Sequence, residues 1–275
     1  AYNGSKYIEE TILSVLHQTH TNLELLITDD ASIDNTIDII KSIKDPRIKL
    51  YQNKQNLGLA KNINTMLHNA AGDFCIVLGQ DDIFQPNHLY CMLKQFIQSE
   101  VNLVHCNASL IDEKGENLGI LLCDDQKQIL HNRNPLKVLA FKNYIQSCGM
   151  MFRSDAFLKT GGWDEKYHIY GEWLWYIKMA KIGTFGYCNE TLSSYRKHSS
   201  STNHIIKKEK TLNFTLYKMR CRFLAFKYLS LPAKEILSFY KGFLLTTLKS
   251  FRKLILLFIK LKSLKIKKLL IKCFR

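Results

Sequence analysis

The chain has 275 residues, 46% of them apolar and 11% aromatic, which excludes a disordered polymer and allows one or two packed domains. Its net charge of +15 is unevenly placed: residues 201–275 hold 19 Lys and Arg against 2 Asp and Glu, so residues 1–200 are almost neutral. The eight cysteines form no Cys-x-x-Cys pair and no zinc-finger spacing with histidine, which argues for reduced thiols in a cytosolic protein.

In chain order, Ser5 to Gln18 reads as a helix: Ile8, Ile12, Val15 and Leu16 share one face, and Glu9 and Glu10 stand in the first turn. Leu23 to Thr28 reads as a strand, Asp34 to Ser42 as a helix, Ile48 to Gln52 as a strand, Gly58 to Ala71 as a helix and Phe74 to Leu78 as a strand. This alternation predicts an α/β fold with a mixed, mainly parallel sheet flanked by helices. Further on, Asn102 to Leu110 and Ile120 to Cys123 read as strands around a turn at Asp112 to Gly115, and Ser147 to Phe152 is strand-like. Tyr170 to Ile182 is an aromatic-rich helix closed by Gly183. The chain opens inside a motif, without Met or a recognisable signal peptide, so a strand ahead of Ala1 is expected.

Two of these strands run into paired carboxylates, Asp29-Asp30 and Asp81-Asp82. Ligands of open α/β sheets bind beyond the carboxyl ends of the strands. Four carboxylates facing one crevice repel one another unless a cation or a donor-rich ligand sits among them. Capping of the following helices or shaping of turns is the plainer explanation for one such pair; two pairs at equivalent positions point to a site.

The stretches "AYNGSKYIEETILSVLHQT", "ITDDASIDNT", "NLGLAKNINTMLHNAAGDFCIVLGQDD" and "GGWDE" follow one another at spacings that resemble a family 2 glycosyltransferase of the GT-A type, from Ala1 to about His204. The resemblance implies an inverting transfer of a sugar from a nucleotide-diphosphate sugar, a UDP-sugar being favoured, with a divalent metal (Mn2+ or Mg2+) on the diphosphate. It places Ala1 and Tyr2 at the base pocket, Asp29 and Asp30 at the base and ribose, and Lys61 near the phosphates. The family's Asp-x-Asp-Asp element falls on Gly79-Gln80-Asp81-Asp82, so its first acid is missing. Asp81 is then a nucleotide-sugar residue and Asp82 the metal ligand. His198 joins Asp82 at the metal, and His198 or Arg196 meets the diphosphate. The family's Glu-Asp pair falls on Gly171-Glu172, making Glu172 the catalytic base that deprotonates the acceptor hydroxyl. Gly79 and Gly171 both depart from acidic positions, so a catalytically impaired binding protein of the same fold is the rival reading. A nucleotidyltransferase needs a glycine-rich phosphate loop, and the sequence has none.

The catalytic domain is therefore expected over residues 1–204 and a basic amphipathic helical extension over 205–275. The longest uninterrupted apolar run of its final stretch, Leu254 to Ile259, is far too short to span a bilayer. Lys interleaved with Leu, Ile and Phe fits a helix lying in the interface of an anionic membrane, peripheral on its inner, cytoplasmic face; the plainer alternative is a C-terminal helix pair packed on the catalytic domain with Lys on the wet side. Nucleic acid is not the expected partner, because the stretch is too apolar and carries no recognition motif. The acceptor expected from the family habit and this extension is a glycan or a lipid-linked glycan, in bacterial surface polysaccharide or lipopolysaccharide synthesis.

Overall fold

A computed structural model describes residues 1–96, 101–121, 134–167, 170–199, 201, 212–229, 239–249 and 252. The first stretch runs α1 (Ile8–Leu16), β1 (Leu25–Asp29), α2 (Thr36–Ser42), β2 (Ile48–Gln52) and α3 (Leu59–His68). Ile8, Ile12 and Leu16 recur every fourth residue on α1 and meet Ile27 of β1 and Ile40 of α2 in a small apolar core. β1 and β2 pair in parallel, from Leu25 opposite Ile48 to Asp29 opposite Gln52. The acids at the end of β1 therefore stand at the carboxyl edge of this pair.

The middle of the chain gives β3 (Phe74–Cys75), β4 (Ile83–Phe84), α4 (His88–Leu93), β5 (Val101–Ile111) and β6 (Asn117–Leu121). It continues with α5 (Pro135–Leu139), β7 (Met150–Arg153), α6 (Ser154–Thr160), α7 (Tyr170–Ile182), β8 (Thr184–Arg196) and α8 (Leu212–Tyr228). Residues 239–249 form a further helix, α9. A six-stranded sheet orders β3, β7, β5, β8 and β4, with β6 on the side of β5.

The six-stranded sheet is mixed, as the sequence suggests, but among the described pairings only β5 with β8 is parallel within it, and β1 and β2 form a separate parallel pair. The other described pairings are antiparallel. The tight turn between β5 and β6 allows only an antiparallel return. The strand expected over Phe74 to Leu78 pairs only at Phe74 and Cys75. β8 is the long strand with no clean alternation. Its register against β5 slips between Cys106 opposite Cys188 and Asn107 opposite Thr191, so Asn189 and Glu190 bulge out of the ladder.

The main core gathers around α7, whose Trp173, Leu174, Trp175, Tyr176, Ile177 and Met179 are all buried. A helix apolar on every side belongs inside a protein, and here its first turn carries Glu172 inward with it. α8 packs on the same core through Cys221 and Ala225, both fully buried. α9 is held by an aromatic stack, with Phe226 4.5 Å from Phe243 and Phe141 5.1 Å from Phe239 between ring centres. The final Lys-rich stretch, expected as an interfacial helix, lies at residues 253–275, outside the described residues. Among the described residues, no helix is long and apolar enough to cross a membrane.

Candidate active site

Three segments distant in sequence meet beyond the end of β1. The Asp30 amide donates to the Ala1 carbonyl at 2.7 Å. Tyr2 and Gln80 clasp each other: the Tyr2 amide donates to Gln80 Oε1 at 2.6 Å, and Gln80 Nε2 donates to the Tyr2 carbonyl at 3.0 Å. Gln80 thereby ties the Ala1-Tyr2 segment to the loop bearing Asp81 and Asp82. It carries no chemistry of its own, and sequence reasoning passed over it.

Asp29 and Asp30 are both buried, and protein donors engage both carboxylates. Asp29 Oδ2 accepts from the Ser32 amide at 2.9 Å. Asp30 accepts from the Leu57 amide and Asn53 Nδ2, both at 2.8 Å, and from the Gly58 amide at 2.9 Å. Gly58 adopts φ +81° there, a conformation that suits glycine at the entry to α3. Ala31 and Asn3 also have positive φ, 64° and 49°, and the Asn3 amide donates to Ser32 Oγ at 2.9 Å. An alanine held left-handed costs about 1 kcal/mol or more, and such strain concentrates at functional turns. Lys61 stands exposed near the start of α3.

The loop after β3 is fixed from two sides. Thr11 of α1 donates through Oγ1 to the carbonyls of Gln80 and Asp82, both at 2.9 Å. From the other side Arg196, 1% exposed at the end of β8, spends its whole guanidinium on protein oxygens. Nε donates to the Asp81 carbonyl at 3.0 Å, Nη1 to the Asp112 carbonyl at 3.2 Å and Nη2 to Glu10 Oε2 at 2.6 Å. Its cation also lies 4.7 Å from the Tyr7 ring centre. Arg196 is thus committed to the protein, whereas the sequence offered it as a diphosphate contact.

The two acids of this loop diverge. Asp82 is buried, and its Oδ1 accepts the Arg196 amide at 3.0 Å. Burial, and then the charge of Asp81, push its pKa well above the usual carboxylate range. Asp81 instead turns toward His198: Oδ2 lies 2.6 Å from His198 Nε2, with side-chain exposures of 22% and 10%. A Cβ placed on Gly79 would lie 2.9 Å from both Asp81 Oδ1 and Asp82 Oδ2. The two carboxylates therefore crowd the place where the family carries its missing acid.

Glu172, in the first turn of α7, is half-buried, and burial of its carboxyl pushes its pKa up to about 7. The Tyr176 hydroxyl, one turn along α7, donates to Oε1 at 2.8 Å and favours the ionised form. The Cys148 thiol is buried, and burial first, then Asp82, raises its pKa well above the ordinary thiol value. Ser193 Oγ donates to Cys148 Sγ at 3.7 Å. Gly171 is a packing requirement, because a Cβ there would come within 2.5 Å of the Asp164 carbonyl oxygen. Among the described residues, no three His, Cys, Asp or Glu side chains are arranged to hold a metal ion.

Carboxylate pairs directly after β1 and close after β3 in an α/β fold are an arrangement that GT-A glycosyltransferases share. Residues 1–161 match the family described as Glycosyl transferase family 2, and the chain belongs to that family. It is 30% identical over 212 residues to a Rickettsia prowazekii protein named as an uncharacterized glycosyltransferase, a match that covers 74% of this chain and 64% of the relative. It is 25% identical to the chondroitin synthase of Pasteurella multocida over 74% of this chain and 20% of that one. The chain thus spans less than two thirds of the Rickettsia relative's length. Among solved structures, S. aureus TarS 1–349 in complex with UDP-GlcNAc superposes with a TM-score of 0.69 at 17% identity, over 89% of this chain and 69% of that one. The Pyrobaculum calidifontis mannosyltransferase PcManGT, in complex with GDP-Man and Mn2+, gives 0.63 at 15% identity, over 99% and 76%. At those identities the likeness establishes the GT-A fold.

Proposed function

We propose that the protein moves a sugar from a nucleotide-diphosphate sugar, a UDP-sugar, to a hydroxyl of a glycan or glycolipid acceptor, with inversion at the anomeric carbon. The observation that carries this reading is the meeting of the Ala1-Tyr2, Asp29-Asp30 and Asp81-Asp82 segments. The ligands in the complexes of TarS and PcManGT support the donor class, and the synthase relative supports polysaccharide synthesis at a bacterial surface.

The residues fit a divalent cation held together with a diphosphate. Such ions take one or two protein ligands and draw the rest from phosphates and water. We assign the cation to Asp81 and His198, which face each other near the surface, and keep Asp82 as the buried support of the loop. When bound, the ion neutralises charge on the departing diphosphate. Asp29 and Asp30 act by shaping the nucleotide loop, with Ala1, Tyr2 and Lys61 at its edge.

Glu172 takes the proton of the acceptor hydroxyl. The acceptor oxygen forms a bond to the anomeric carbon as the bond from that carbon to the diphosphate oxygen breaks, and attack from the opposite face inverts the centre. A carboxyl poised near pH 7 suits a general base better than a fully solvated one. The basic C-terminal stretch supports work at an anionic membrane surface, on its inner, cytoplasmic face.

The test is turnover of a panel of nucleotide sugars with and without Mn2+. Metal-dependent transfer or donor hydrolysis supports the reading. Nucleotide binding that ignores metal, with no turnover, would replace it by the impaired binding protein of the same fold.

A further inference from the structure

We propose that the outer face of α9 is a docking surface for an anionic lipid bilayer, with Phe223 of α8 at its margin. This deepens the membrane-peripheral reading above and is independent of the transfer chemistry.

One side of α9 is committed to the protein. Phe243 and Thr247 are buried, and Phe239 stacks within the Phe226 and Phe141 group. The remaining side carries Tyr240, Leu244, Leu245 and Leu248, which are 50, 58, 52 and 51% exposed. Four large apolar side chains within nine residues stand exposed on this side, with Lys241 among them, and large exposed apolar surfaces mark interaction sites. Phe223 adds to it at 48% exposure, with its ring 5.7 Å from Phe243.

Charge decides the occupant. Lys241 and Lys249 are exposed on α9, and Arg252 is exposed three residues further along the chain. From residue 239 to the last residue the sequence carries 11 Lys and Arg and no Asp or Glu. A second copy on this face would bring like charges together with no acid to pair them. Nucleic acid would satisfy the charge but not the leucines. An anionic bilayer satisfies both: the apolar side chains enter the acyl boundary and the Lys and Arg stay at the headgroups. The described part of this helix, 239–249, is about half of what a span requires.

The test is flotation of the full chain with vesicles of phosphatidylcholine alone and of phosphatidylcholine with phosphatidylglycerol, across a salt series. The expected result is binding to the anionic vesicles that weakens with salt. Leu244→Asp with Leu248→Asp lowers that binding about tenfold or more, through loss of the apolar area, and leaves donor turnover unchanged. Lys241→Gln with Lys249→Gln and Arg252→Gln flattens the salt dependence. A parent chain that stays with the unbound fraction overturns the proposal. So does a leucine double variant that floats like the parent. A parent that is dimeric and fails to float, and that the leucine variant renders monomeric, assigns the face to a second copy instead. Donor turnover is read in the same samples, so failure of the transferase reading is seen separately.

Discussion

His198 Nε2 lies 2.6 Å from Asp81 Oδ2, which joins the segment leaving β8 to the loop after β3. The Tyr7 ring, 5.1 Å from the imidazole between ring centres, closes the other side of His198. Both partners keep some exposure, while Asp82 turns inward. The proposed cation site rests on this pair. Asp81→Asn and His198→Ala are each expected to weaken Mn2+-dependent binding of UDP by at least ~10-fold. Calorimetric titration of UDP with and without Mn2+ reads this directly. Metal dependence retained in both variants would remove the pair from the site.

The state of Glu172 sets a pH dependence. A base must be ionised to accept a proton, and burial holds this carboxyl at about 7. Turnover is expected to rise with pH through about 7 and then level off. Tyr176→Phe removes a donor that favours the ionised form, so the rising limb moves to higher pH. A pH–rate profile of the two proteins checks the direction.

The same shift acts on stability. The folded pKa lies above the unfolded value of about 4.3, so between the two the folded chain holds the proton and the unfolded chain releases it. This group therefore takes stability away as pH rises from about 4 to about 7, with no further loss above. Glu172→Gln is expected to remove that portion of the slope, read as the difference in denaturant midpoints between the parent and the variant across that window.

Arg196 holds Asp81, Asp112 and Glu10 with one guanidinium. Arg196→Ala leaves buried carbonyls unpaired and is expected to cost about 3 kcal/mol of folding stability. Arg196→Lys recovers only part of this, because an ammonium lacks the planar fork. Urea unfolding gives both values; a loss under about 1 kcal/mol in the alanine variant would contradict the clamp.

Gly171→Ala tests whether the missing family acid is a lost function or a packing solution. A Cβ at 2.5 Å from the Asp164 carbonyl oxygen forces backbone to move, at an expected ~1–3 kcal/mol. Destabilisation in thermal melts supports the packing role, and a neutral substitution counts against it.

Much of the first half was legible because helix and strand periods are clean there: the Ile8, Ile12, Leu16 stripe and the alternation into β2 fix both elements. The extent of α7 could be read from its apolar continuity between Tyr170 and Gly183. β8 could not, because Asn189 and Glu190 bulge out of register and break the alternation. The short pairing of β3 at Phe74 and Cys75 also escapes a reading of apolar runs, which cannot show where a ladder ends. At the site, the motifs name segments that the fold brings together around Ala1, Asp30 and Gln80, but letters carry no side-chain direction. Asp81 and Asp82 are adjacent and alike in sequence, and only the position of Arg196 separates the buried acid from the open one. Tyr176 was within reach, since four residues along a helix places its hydroxyl beside Glu172.

The most direct test of the account is transfer by Glu172→Gln under single-turnover conditions with donor saturating, beside Mn2+-dependent UDP binding by the same variant. The account predicts a rate lower by about 100-fold or more with nucleotide binding intact, because a neutral amide cannot take the acceptor proton. Transfer at the parental rate would contradict it.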